Sequence, residues 1–140
     1  ILKSLQELHK ECPVIFPIHP RTRAAMDANG LSADVTIIPP VGYFDMLALL
    51  QSCSYVITDS GGLAREAFFF SKPSVIVSDH PFWPEIPENG PSLVSPADRE
   101  MLISRFRAVQ TSGRPFIGQV FGDGHAAEKI AAGVINYLHG

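Results

Sequence analysis

Tyr55-Val56-Ile57-Thr58-Asp59-Ser60-Gly61-Gly62-Leu63-Ala64-Arg65-Glu66-Ala67 is the stretch whose reading decides the fold. Its first four residues are aromatic or β-branched, the composition of a buried strand, and they give way to small and polar residues that can start a helix. The join is a strand-to-helix corner. Two consecutive glycines let a ligand approach the backbone, and the first free N–H groups of the helix, with Ser60 as hydroxyl donor or N-cap, point at whatever sits there. Such a corner is an anion site best suited to phosphate. Glu66 lies about one helical turn further on, where a carboxylate accepts from a sugar or ribose hydroxyl but repels phosphate. Phosphate and hydroxyls are therefore expected on different sides of it. Ser60-Gly61-Gly62 reads equally well as a tight turn with an ordinary cap, and it matches neither a Walker loop nor a GxGxxG fingerprint.

Upstream of the corner, Ile1 to Glu11 carries Leu2, Leu5 and Leu8 on one helical stripe. Val14 to Ile18 reads as a short strand with Pro17 at its end or edge, because proline donates no ladder hydrogen bond. A helix from Pro20 to Asn29 follows, with Gly30 as its C′ residue. Val35 to Ile38 is a second strand, stopped by Pro39-Pro40, and Tyr43 to Ser52 has helical spacing. Downstream, the corner helix is expected to run to about Phe70, with Phe68, Phe69 and Phe70 as a largely buried end. Ser74 to Val77 is a fourth strand. Ser78 to Pro91 holds four prolines and reads as a loop too rigid and too long for a mere connector. Leu93-Val94 is a brief strand, Ser95-Pro96-Ala97-Asp98 caps a helix to Val109, and Thr111 to Phe121 is irregular. The last helix starts near Asp123-Gly124, with Ala127, Ile130, Ala131, Val134, Ile135 and Leu138 on its apolar side.

Strands alternating with helices, the strands short and apolar, predict an α/β fold: a Rossmann-like parallel sheet sandwiched by helices. In such sheets ligands bind outside the carboxyl ends of the strands, where His19, the Pro39 to Tyr43 segment, Ser60 and the Ser78 to Glu85 loop all fall. A chain of 140 residues suits one domain. The formal net charge of −3 argues against nucleic acid or a membrane surface as partner. Cys12 and Cys53 have no metal-ligand spacing and read as buried free thiols of a reducing compartment. No segment has the length and apolarity of a membrane span, and no signal-peptide pattern opens the chain, so a cytoplasmic location is expected. Lacking an initial methionine and starting inside a helix, the chain is expected to be a piece of a longer protein.

Further residues are candidates for the site. His19 can hydrogen-bond a sugar or phosphate while Arg21 or Arg23 supplies charge; it reads equally as a histidine capping the next helix beside a solvated basic turn. Tyr43 and Met46 can wall a base-binding slot, although amphipathic helix positions of this kind more often belong to a core. Asp123 and His125 resemble an acid–base pair, but a capping aspartate between turn glycines is the simpler reading.

Asp59-Ser60-Gly61-Gly62 followed by Glu66-Ala67 resembles the corresponding segment of the non-hydrolysing UDP-N-acetylglucosamine 2-epimerases. The likeness extends through Phe16-Pro17-Ile18-His19-Pro20-Arg21-Thr22-Arg23, Pro39-Pro40-Val41-Gly42-Tyr43, Pro84-Glu85 and Phe121-Gly122-Asp123-Gly124, where Phe121 replaces a tyrosine. The resemblance implies the C-terminal half of a two-domain, glycosyltransferase-B-type protein. Residues 1–140 would form its UDP-binding domain, with the N-terminal domain and the start of this domain absent. It further implies that Ser60, Gly61 and Gly62 hold the pyrophosphate and Glu66 the ribose, that Met46 stands where relatives place a phenylalanine against uracil, and that His19 lies near a second, regulatory sugar-nucleotide site. No cofactor or metal is implied, and the full-length protein is expected to be a homodimer.

One departure bears on this. Relatives carry an Arg-Asp-x-Thr-Glu-Arg-Pro-Glu loop, and this chain reads Ser78-Asp79-His80-Pro81-Phe82-Trp83-Pro84-Glu85. Both arginines are gone; His80 or Arg65 is the candidate replacement. The implied activity of the whole protein is inversion at C2 of a UDP-2-acetamido sugar, by elimination and re-addition of UDP, for polysaccharide biosynthesis. Its proton-moving groups would lie in the missing part. The alternatives are the nucleotide-sugar half of a glycosyltransferase and a non-catalytic UDP-sugar binding protein.

Overall fold

The computed structural model, which describes residues 1–139, alternates helices and short strands. In chain order these are α1 (Leu2–His9), β1 (Ile15–Pro17), α2 (Pro20–Ala28), β2 (Thr36–Ile38), α3 (Tyr43–Ser52), β3 (Val56–Thr58), α4 (Gly61–Phe69), β4 (Ser74–Val77), α5 (Glu85–Asn89), β5 (Leu93–Ser95), α6 (Arg99–Thr111) and α7 (Ala126–His139). Every strand pairing is parallel. The strands divide into a β1-β2 sheet and a β3-β4-β5 sheet, since no described strand pairs with the second edge of β1 or of β3. Pro17 ends β1, where its missing N–H costs no ladder bond.

The pleat of the three-stranded sheet sorts its residues onto two faces. Ile57, Val75 and Leu93 are register partners, and they pack with Val77 against Leu8 of α1 and Leu102, Ile103, Phe106 and Val109 of α6. Ile76, one residue out of phase, faces the other way with Ala64 and Phe68 of α4 and Ile86 of α5. Both faces are thus covered by helices, the arrangement that a parallel sheet of apolar strands requires. A third cluster ties α3 to the same layer through Leu47, Leu50, Val56, Leu63 and Ala67. Lys72 closes the C-terminal end of α3 by donating to the carbonyls of Gln51 (2.9 Å) and Cys53 (2.8 Å), where a cation complements the unpaired carbonyls.

Several sequence expectations change. The corner helix ends at Phe69 with Phe70 as its C-cap, as expected, but of the three phenylalanines there only Phe68 is buried, Phe69 and Phe70 being exposed. The segment from Ser78 to Pro91 contains a helical turn, α5, within what reads as loop. The α6 cap is Asp98, whose Oδ1 accepts from the Met101 N–H at 2.8 Å. Ser95 cannot serve there because it is paired with Val77 in β5. Asp123 stands outside α7, its carboxylate accepting from the His125 N–H (3.1 Å) and from Lys129 Nζ (2.7 Å). The apolar side of α7 finds no cover: Ile130, Val134, Ile135 and Leu138 are all exposed.

The irregular chain after α6 is fixed rather than loose. Arg114 donates to the carbonyls of Pro87 and Glu88, and the Ile117 N–H donates to Asn89 O at 2.7 Å. Phe121 meets Phe68, Phe69 and Trp83 edge to face, with ring centroids 5.6–5.7 Å apart. Gly90 is needed at this junction, because a Cβ there would lie 3.0 Å from the Phe116 ring.

Candidate functional site

The site begins where β3 runs out. Thr58 is buried, and its Oγ1 accepts from the Ser60 N–H at 3.0 Å, turning the chain at the strand's carboxyl end. Ser60, extended at φ −91° and ψ 120°, is the N-cap of α4, and its Oγ accepts from the Leu63 N–H at 3.3 Å. That bond uses an oxygen lone pair and leaves the hydroxyl hydrogen free to donate outward. Gly61 and Gly62 occupy the first two helical positions, and among the described residues their N–H groups have no acceptor. Ser60 and Gly62 are exposed. Two open amides, a hydroxyl and the positive end of a helix dipole therefore converge at one point.

The loop after the neighbouring strand β4 closes over Gly61. Trp83 Nε1 donates to the Gly61 carbonyl at 3.1 Å. A Cβ on Gly61 would sit 3.3 Å from Phe82 and 3.4 Å from that indole nitrogen, so the close approach favours glycine. Sequence reasoning took Trp83 for the loss of a charge and missed this bond. The available signal was chemical: an indole N–H is a donor only, and when half-buried it needs an acceptor nearby. Arg65 lies with its guanidinium carbon 4.8 Å from the Trp83 ring centroid. Glu85 Oε2 is sealed from solvent without a hydrogen-bond partner among the described residues.

Glu66 is half-buried on α4. It follows Gly62 by four residues, as Arg65 follows Gly61, so the two side chains rise on adjacent rows about 100° apart around the helix. His19 is the N-cap of α2, its Nδ1 accepting from the Arg21 N–H at 3.2 Å, and His19 and Arg21 are both exposed. The capping reading of His19 is the observed one. Tyr43 is 61% exposed and meets Phe44 edge to face, which sets aside its reading as core, while Met46 is half-buried. No described hydrogen bond or ring contact joins His19, Arg21, Tyr43 or Met46 to the Ser60 corner; Tyr43 and Met46 share with it only the anchoring of α3 on Leu63.

Cys12 and Cys53 are free and only half-buried. Burial pushes the Cys53 thiol above its ordinary range, the nearby Lys72 ammonium drawing it part of the way back. A shallow cleft of about 450 Å³ between α1 and α6, lined by Glu7, Arg99, Ile103 and Arg107, shares no residue with the corner. No helix is long and apolar enough to cross a membrane among the described residues.

Residues 1–135 match the family model for UDP-N-acetylglucosamine 2-epimerase. The chain is 39% identical over 132 residues to a UDP-2,3-diacetamido-2,3-dideoxy-D-glucuronate 2-epimerase of Pseudomonas aeruginosa, covering 94% of this chain and 37% of that protein. It is 31% identical over 138 residues to a UDP-N-acetylglucosamine 2-epimerase of Methanococcus maripaludis, covering 93% of this chain and again 37% of the relative. Among solved structures, the Methanocaldococcus jannaschii UDP-GlcNAc 2-epimerase in complex with UDP-GlcNAc and UDP superposes with a TM-score of 0.86 at 28% identity, over 97% of this chain and 39% of that one. The chain thus spans well under half the length of the proteins it matches.

Proposed function

This chain belongs to the UDP-N-acetylglucosamine 2-epimerase family, and from that premise we propose that it is the UDP-holding C-terminal part of an enzyme that inverts C2 of a UDP-2-acetamido sugar. The observation that carries the proposal is the pair of open amides of Gly61 and Gly62 at the head of α4, beside the Ser60 hydroxyl. In this reading these groups bind the diphosphate both as leaving group and as retained nucleophile. Negative charge grows on the phosphate oxygens as the C1–O bond breaks, and donors already fixed in place stabilise it without reorganising. Glu66, one turn on, takes the ribose hydroxyls, and the exposed Tyr43 with Met46 forms an apolar wall for the base. His19 and Arg21 are assigned to a second site or to a remote substrate contact. The proton-moving groups at C2 belong to the remainder of the protein, which in this reading is a cytoplasmic homodimer.

The Pseudomonas relative favours a second choice of substrate within the same chemistry, a UDP sugar with a C6 carboxylate. The full-length protein is to be incubated separately with UDP-N-acetylglucosamine and with UDP-2,3-diacetamido-2,3-dideoxy-glucuronate, following C2 inversion and solvent deuterium entry by NMR. Inversion of either one without an acceptor is the expected result. Release of UDP only when an acceptor is added would assign the protein to the glycosyltransferases. UDP binding without turnover of either would leave a sensor. The present chain alone is expected to turn over neither sugar.

A further inference from the structure

The loop from Ser78 to Glu85 holds no lysine or arginine, yet it carries an indole that holds a cation in place from outside the loop. Trp83 is fixed at its edge by the bond from Nε1 to the Gly61 carbonyl, and the Arg65 guanidinium lies over its face. Arg65 is four residues beyond Gly61, and helical side chains lean toward the N-terminus, so its head group is directed back toward the turn that bears the open amides. The guanidinium, its carbon 4.8 Å from the ring centroid, meets the indole without spending a donor on a hydrogen-bond partner. Its in-plane N–H groups stay free, and among the described residues Arg65 makes no ion pair and no hydrogen bond. A half-buried arginine that is oriented but unpaired, next to amides that also lack acceptors, has the donor geometry that an oxyanion takes up with two parallel hydrogen bonds.

Resting on the nucleotide reading above, we infer that Arg65 is the specific cationic contact to the diphosphate, and that Trp83 is the residue that positions it. Phosphate charge is then met by one helix, α4, through its first-turn amides and its fifth residue. Glu66 on the adjacent row stays clear of the phosphates, because the 100° between the rows separates carboxylate from guanidinium.

The test measures UDP affinity in the full-length protein by titration calorimetry. Arg65→Gln keeps length and polarity and is expected to weaken UDP by about ten- to a hundredfold, the range for losing a charged hydrogen bond. Arg65→Lys, which keeps charge but neither stacks flat nor bonds in two places, should recover only part of this. Trp83→Phe keeps a ring face and loses the bond to Gly61; it should weaken UDP by about three- to tenfold, and by much less when Arg65 is already Gln, because the two act as a unit. Thermal unfolding of each variant separates lost binding from lost folding. If Arg65→Gln leaves UDP affinity unchanged while the parent binds, the inference is overturned and the nucleotide site survives. If it weakens only a UDP sugar bearing a carboxylate and not UDP itself, Arg65 reads the sugar acid, and the assignment to diphosphate is likewise overturned. If the parent protein does not bind UDP at all, the nucleotide reading fails first.

Discussion

Helices α6 and α7 are close in length and both carry an apolar stripe, yet they end in opposite circumstances. α6 buries Leu102, Ile103, Phe106 and Val109 against the β3-β4-β5 sheet and α1. α7 is the more apolar of the two and has no buried residue at all. An apolar stripe at helical spacing says that a helix has a face to cover; whether the cover lies within the same chain is a separate matter, decided by what folds beside it. For α6 the sheet face made by Ile57, Val75, Val77 and Leu93 is there. For α7 no described element is.

The contrast predicts a large asymmetry in stability, and its largest expected effect is at Phe106. This ring is 5% exposed and meets Tyr55 edge to face at 5.4 Å, so Phe106→Ala should cost about 3–5 kcal/mol by lost burial and the cavity left behind. Urea unfolding of the chain, monitored by circular dichroism, measures this. A loss below about 1 kcal/mol would mean that the α6 interface is much looser than the packing indicates. On the apolar stripe of the other helix, Ile135 is 55% exposed. Ile135→Ala should change the unfolding free energy by no more than about 0.5 kcal/mol, with alanine's better helix propensity acting in the stabilising direction. A loss comparable to that at Phe106 would show that α7 is covered within the chain after all.

The smallest effect expected is at the entrance to α7. The Lys129 ammonium, and after it the His125 N–H, hold the exposed Asp123 carboxyl below its usual range. A depressed folded-state value means that the contact contributes above the unfolded carboxylate pKa and is lost as the pH falls through the folded value. The first turn of α7 should therefore loosen only at acid pH. The amide shift of His125 in NMR should report this, and Asp123→Asn should abolish the transition. A His125 amide shift that stays flat across the acid range would show that the Asp123 contact does not hold the turn.

Much of this molecule can be read along the chain because local patterns have local causes. Tyr43 to Ser52 is predicted as a helix to its ends because apolar spacing, a preceding proline pair and a strand after it all agree. Other positions have more than one local solution. Ser95 and Asp98 are both good N-caps; Asp98 takes the role because parallel pairing with Val77 holds Ser95 in the strand. Phe68, Phe69 and Phe70 are alike in sequence, and only the helix face that meets Ile76 and Ile86 decides that Phe68 is inside. The candidate site divides in the same way. Ser60, Gly61 and Gly62 are legible because capping and glycine geometry are properties of a short segment, whereas Trp83 lies 22 residues from the carbonyl it binds.

By itself the sequence determined the order and type of every element but α5, the parallel α/β class, and a helix start with free amides, all consequences of residue periodicity and backbone chemistry acting over a few residues. Only the tertiary structure decided that the loop after β4 closes on the turn after β3, that the Trp83 indole is the group bonded there, and that Arg65 is held over it. Those contacts join residues far apart in the chain, and parallel strands bring them together because each strand ends at the same rim of the sheet.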